Sequence, residues 1–200
     1  MNWNQRITWY REAFPKFPVT MTVMDGVYMY GLWVMGNDYR VVTGYYGGYP
    51  ATYLKRMKAL FQDKANVLHL FSGKVDTAVF PGKTVDLDPA TEPDYLDDAQ
   101  TLEQVPLADF DLVLCDPPYS VEDAEHYQPT MVKRNKVFAA LRRLAPGAVI
   151  VWLDQVSPMY SKDYFKVVGH IGMVKSTNHR FRVVTIYERT GKLFDEFGGL

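Results

Sequence analysis

Phe110-Asp111-Leu112-Val113-Leu114-Cys115-Asp116-Pro117-Pro118-Tyr119 is the stretch on which the reading of this chain turns. An apolar run broken only by Asp111 and closed by prolines reads as a buried central strand. Two consecutive prolines cannot continue a sheet ladder, so the strand stops at Asp116. What remains is a stiff turn at the carboxyl end of a strand, with a carboxylate before the prolines and a phenol after them. In open α/β sheets ligands bind outside that edge.

Working outward, strands alternate with helices or loops on both sides. Upstream strands are expected at Val67 to Phe71, at Thr84 to Leu87 and, briefly, at Asp94 to Ala99. Downstream, a helix is expected over 130–144, where Val132, Val137, Ala140, Leu141 and Leu144 keep an apolar stripe until Pro146-Gly147 ends it. Ala148 to Leu153 follows as a strand. Lys166 to Lys175 and Arg182 to Glu188 then read as an antiparallel pair at the sheet edge. Such alternation predicts a mostly parallel α/β sheet. A helix is also expected from Pro50 to Gln62, with Leu54, Met57, Leu60 and Phe61 at helical spacing.

Residues 1–49 differ in character, with twelve aromatic residues that include Trp3, Tyr10, Tyr30 and Trp33. Asp25-Gly26 between two apolar runs is a hairpin signal, and Tyr39 to Tyr46 adds a third strand to a small antiparallel meander. Its rings either pack across strands or stack on bases. Residues 50–190 then form the main α/β domain, and 191–200 a loosely held tail.

The chain has 200 residues and a formal net charge of -1, so no global basic field points to nucleic acid. A local basic patch stays open, from Lys133, Arg134 and Lys136 or from Lys175, His179, Arg180 and Arg182. The single cysteine, Cys115, excludes an internal disulfide and a cysteine-rich zinc site. The four histidines show no metal-ligand spacing, so no metal is expected. No signal peptide or membrane span is read, and the chain is expected in the cytoplasm of a bacterial cell or of a phage-infected host.

With the Asp-Pro-Pro-Tyr turn and the strand order in hand, the chain resembles the class I S-adenosylmethionine-dependent methyltransferases. Among them it is similar to the amino-group enzymes that act on adenine N6 or cytosine N4 in DNA. The resemblance runs by motif order over about 50–188. It implies a Rossmann-like class I sheet, mostly parallel with an antiparallel edge hairpin, preceded here by the aromatic-rich meander. It also implies S-adenosylmethionine as cofactor. The glycine loop of that family falls on His69, Phe71, Ser72 and Gly73, although Val75 stands where a second glycine is usual and His69 where an acid is common. The ribose carboxylate falls on Asp86, with Asp88 as the other candidate. The adenine contact falls on Asp98 and Ala99. The catalytic turn falls on Asp116, Pro117, Pro118 and Tyr119.

In that family's chemistry, the carboxylate and the first proline carbonyl accept the two N–H bonds of an exocyclic amino group, while the tyrosine ring stacks on the base. The expected partner is therefore nucleic acid, DNA before RNA, with the base flipped out of a duplex. An RNA base methyltransferase (guanine N2 or adenine N6) and a catalytically weak nucleic-acid-binding or partner subunit are the alternatives. The small size leaves room for a homodimer or a partner subunit. Tyr45-Tyr46-Gly47-Gly48-Tyr49-Pro50 either lines the cofactor or base pocket or makes a tight turn. Cys115 lies inside its strand, which argues against thiolate chemistry of the cytosine-C5 kind.

Overall fold

The computed structural model describes residues 1–36, 49–50, 52–118, 131–175 and 181–191. Its centre is a nine-stranded sheet in the order β1-β2-β8-β9-β7-β6-β3-β4-β5. The strands are β1 (Met21–Met24), β2 (Tyr28–Met35), β3 (Val67–Leu70), β4 (Lys83–Asp86), β5 (Tyr95–Leu96), β6 (Leu112–Cys115), β7 (Val149–Asp154), β8 (Phe165–Lys175) and β9 (Phe181–Arg189). β3, β4, β5, β6 and β7 are mutually parallel, and β9 runs against both β7 and β8. The order leaves β3 in one direction toward β5 and in the other toward β7. That reversal is a topological switch point between β3 and β6.

Burial explains why the middle strands form where they do. Every residue of β3, β6 and β7 is buried, which fits short apolar runs covered on both faces. Their side chains alternate between two cores. Val67, Leu112, Leu114, Val149, Val151 and Leu153 face one core with helices α1 (Trp3–Ala13) and α2 (Tyr53–Leu60). Leu68, Leu70, Val113, Cys115, Ile150 and Trp152 face the other, with α3 (Arg134–Ala140) and its 3-10 extension Leu141–Arg143. Arg6 clamps α1 to the end of α2. Its guanidinium donates twice to Asp63, at 2.6 and 2.7 Å, and once to the Leu60 carbonyl at 2.8 Å.

The Asp25-Gly26 hairpin forms as expected, with φ of +51° and +71° at the two turn residues. Its setting differs from the expectation of a separate meander. β2 pairs in parallel with β8 from Met29–Gly169 to Met35–Lys175, so the hairpin continues the main sheet. The β8–β9 hairpin pairs as expected but lies inside the sheet, and β1 forms the outer edge. The reason is the alternation in β2: Met29, Trp33 and Met35 are buried beneath α1, while Tyr30, Leu32 and Val34 point out and are exposed. Trp3 and Tyr10 are core residues of α1, a helix not assigned from sequence. The helix expected over 130–144 begins only at Arg134, and β5 is two residues long. Tyr39 to Tyr46 and the tail beyond Gly191 lie outside the described residues. No helix among the described residues is long and apolar enough to cross a membrane.

Candidate active site

Strand register brings the predicted motifs to one edge. Leu70 pairs with Cys115 on one side and with Val85 on the other, and Cys115 pairs with Trp152. One residue further along each parallel strand stand Phe71, Asp116, Asp86 and Leu153. Neighbouring strands are about 5 Å apart, so the glycine turn and the Asp-Pro-Pro corner flank the switch point side by side. Tyr119 lies outside the described residues, as do His179 and Arg180.

The turn after β3 is shaped by backbone conformation. Phe71 has φ of +57° and Gly73 of +49°. The left-handed region is cheap for glycine but not for a bulky residue, and such strain gathers at functional sites. The Phe71 ring meets Trp152 edge-on at 6.3 Å. The Ser72 N–H donates to the Val85 carbonyl at 3.1 Å. The Ser72 hydroxyl is buried without a hydrogen-bond partner among the described residues.

Asp86 ties this turn to the end of β4. One carboxylate oxygen accepts from the Gly73 N–H at 2.7 Å and the other from the Asp88 N–H at 3.0 Å. A carboxylate has about four acceptor positions, so half its capacity remains for a diol. Asp88 is committed differently: it caps a short 3-10 turn by accepting from the Ala90 N–H at 2.9 Å. His69 sits in mid-strand and is fully buried, with Nε2 donating to the Phe80 carbonyl at 3.0 Å. Burial lowers its pKa to about 4, so the ring is neutral at neutral pH.

Beyond β5, Asp97 turns inward and accepts from the Asp98 and Gln104 N–H groups at 2.8 and 2.7 Å, fixing the loop. The Asp98 carboxylate accepts from the Gln100 N–H at 2.8 Å, and Ala99 is buried beside it. The Gln100 side-chain oxygen in turn accepts from the Lys133 N–H at 3.0 Å, joining this loop to the start of α3.

The structure adds Tyr53, which the sequence did not single out, and shows what engages several residues that it did. Tyr53, at the start of α2, is 1% exposed and stacks on Tyr49. Both phenols have pKa values well above the ordinary range, chiefly through burial and then through the negative charge of Asp116. At the end of β7, Asp154 is fully buried and accepts a two-pronged bond from Arg134, at 2.6 and 3.0 Å. It also accepts from the Trp152 indole N–H at 3.0 Å. Arg134, a candidate phosphate contact by sequence, is thus engaged in an internal ion pair. Burial, and then Asp116, push the Cys115 thiol well above its usual range, so it is no ready nucleophile. Among the described residues no group of His, Cys, Asp or Glu could hold a metal ion.

The strand order, the reversal between β3 and β6, and one reversed strand next to β7 decide the fold. It is a Rossmann-like α/β sheet, mostly parallel, with a reversed strand beside β7. No family model and no curated protein matches the chain. Solved structures with similar folds include the N-methyltransferase NodS from Bradyrhizobium japonicum in complex with S-adenosyl-L-homocysteine. It is 12% identical over 69% of this chain and 84% of that one, with a TM-score of 0.47. The putative methyltransferase yhhF from Escherichia coli is 15% identical over 72% of this chain and 90% of that one, with a TM-score of 0.46. The putative methylase HI0767 from Haemophilus influenzae is 13% identical over 68% and 85%, with a TM-score of 0.44. At these identities and TM-scores the fold assignment rests on the strand order and not on the likeness.

Proposed function

We propose that this protein transfers a methyl group from S-adenosylmethionine to the exocyclic amino nitrogen of a nucleobase, with adenine N6 in DNA as the first choice. The observation that carries the reading is the shared register row. Asp116, the Phe71–Gly73 turn and Asp86 stand together at the switch point, where open α/β sheets bind their ligands. The residues present fit the cofactor. Asp86 keeps acceptor capacity for ribose hydroxyls, the Ser72 hydroxyl lacks a partner among the described residues, and Gly73 allows close backbone approach. When bound, the cofactor supplies an electrophilic sulfonium methyl.

The protein's own task is orientation. An exocyclic amino group is a weak nucleophile because its lone pair is delocalised into the ring. Asp116 and the Pro117 carbonyl accept its two N–H bonds and draw the nitrogen toward a pyramidal geometry. The two prolines hold both acceptors rigidly. Tyr119 stacks on the face of the base. In a duplex the base must first be flipped out, at a cost of a few kcal/mol. Exposed Lys133 and Lys136 at the start of α3 are phosphate contacts in this reading. Transfer of labelled methyl groups to DNA and RNA, run in parallel with purified protein, tests it. Label in DNA as N6-methyladenine is the expected result. Label confined to RNA, or no transfer to either, overturns it.

A further inference from the structure

Tyr49 and Tyr53 border the Asp116 corner, and the mechanism above does not use them. Their rings stack with centroids 5.0 Å apart and planes 12° apart. Both hydroxyls are shut off from solvent and have no hydrogen-bond partner among the described residues. Folded proteins rarely leave such atoms unmet, and a pair of them beside a candidate site calls for an explanation, of which a bound partner is one. Burial and the neighbouring Asp116 charge keep both phenols protonated, so each is a donor.

The backbone that presents them is strained. Thr52, just before Tyr53, caps α2 with φ of +69° and makes no side-chain cap bond. A β-branched residue in the left-handed region is a true outlier, and such strain collects at functional sites. Close enough to Asp116 to feel its charge, the two phenols bring donors that have no partner among the described residues.

Resting on the reading of this corner as an amino-nucleobase site, we infer that one phenol of the stacked Tyr49–Tyr53 pair donates to the ring nitrogen adjacent to the target amino group. Adenine offers N1 as an acceptor beside its 6-amino group, and cytosine offers N3 beside its 4-amino group. Guanine at its pairing edge presents an N1–H donor beside the 2-amino group, so donor meets donor. The pair thus selects 6-aminopurine and 4-aminopyrimidine edges and rejects the guanine pairing edge, because a wrong base leaves buried polar groups unpaired.

The test compares oligodeoxynucleotides carrying adenine or 1-deazaadenine, which keeps the amino group but lacks the N1 acceptor. The wild type should lose roughly tenfold or more in kcat/KM on the deaza substrate. The Tyr49→Phe/Tyr53→Phe double variant should lose a similar factor on adenine and treat the two substrates alike. Its melting temperature should not fall, since the stack stays and no existing bond is removed. Full retention of the wild-type discrimination by the double variant overturns the inference. So does a lowered melting temperature with an equal loss on both substrates, which marks a structural role. A wild type that methylates no nucleobase at all removes the proposed function and this inference with it, an outcome distinct from failure of the tyrosine pair alone.

Discussion

Asp86 holds the Gly73 turn and, in the proposed function, the ribose as well. Asp86→Asn keeps the size but replaces one acceptor oxygen with a donor. It should weaken S-adenosylhomocysteine binding about tenfold or more by calorimetry, and an unchanged affinity would remove Asp86 from the cofactor site. His69 makes a separate prediction. Its folded pKa of about 4 lies below the unfolded value of 6.5, so the unfolded chain binds the proton first. Its contribution is fully present above pH 6.5 and is lost as pH falls toward 4. Between pH 7 and pH 5 the loss is about 2 kcal/mol, and His69→Leu should flatten that part of the urea-stability profile. At this scale much was legible in sequence. Asp116 and Gly73 are marked by neighbours in the chain, a proline pair and an apolar strand. Tyr53 carried no such mark, because a tyrosine at a helix start reads as ordinary core. The orphaned Ser72 hydroxyl is a property of packing and has no counterpart in a sequence.

Helix α3 is pinned to the end of β7 by the Arg134–Asp154 pair. Asp154 is wholly buried and the Arg134 side chain is 24% exposed. Arg134→Met leaves a buried carboxylate unpaired and should cost about 3 kcal/mol in urea unfolding. Adding Asp154→Leu should recover much of that loss, and no recovery would mean that packing, not charge, dominates the site. The buried strands β3, β6 and β7 were readable because short apolar runs between turn residues have few other uses. Helix α1 was readable in principle: Trp3, Ile7 and Tyr10 keep helical spacing, and Asn2 caps it by accepting from the Gln5 N–H at 3.2 Å. The segment was grouped with the aromatic-rich front of the chain and given no element of its own, because its rings outnumber its aliphatic residues. The parallel pairing of β2 with β8 joins residues about 140 positions apart, as in Met29–Gly169. No local pattern encodes such a partner.

The molecule behaves as one packed unit because the front hairpin, α1 and the central strands share a core. Trp3 and Trp33 lie in the same cluster as Val151 and Val184. Urea unfolding followed by tryptophan fluorescence and by far-ultraviolet circular dichroism should therefore give coincident single transitions. A separate early fluorescence transition would show that the front segment folds independently. At this scale the sequence conveyed the sheet class but not its width, since strand order depends on which edges remain to be covered. The central claim is that the proline-stiffened carboxylate beside the switch point directs methyl transfer to a base amino group. Mass spectrometry of nucleosides from the DNA of cells expressing wild type or Asp116→Ala tests it most directly. N6-methyladenine is expected in excess with the wild type, with the variant's activity lower by about a hundredfold or more; equal N6-methyladenine from both proteins would overturn the role of Asp116.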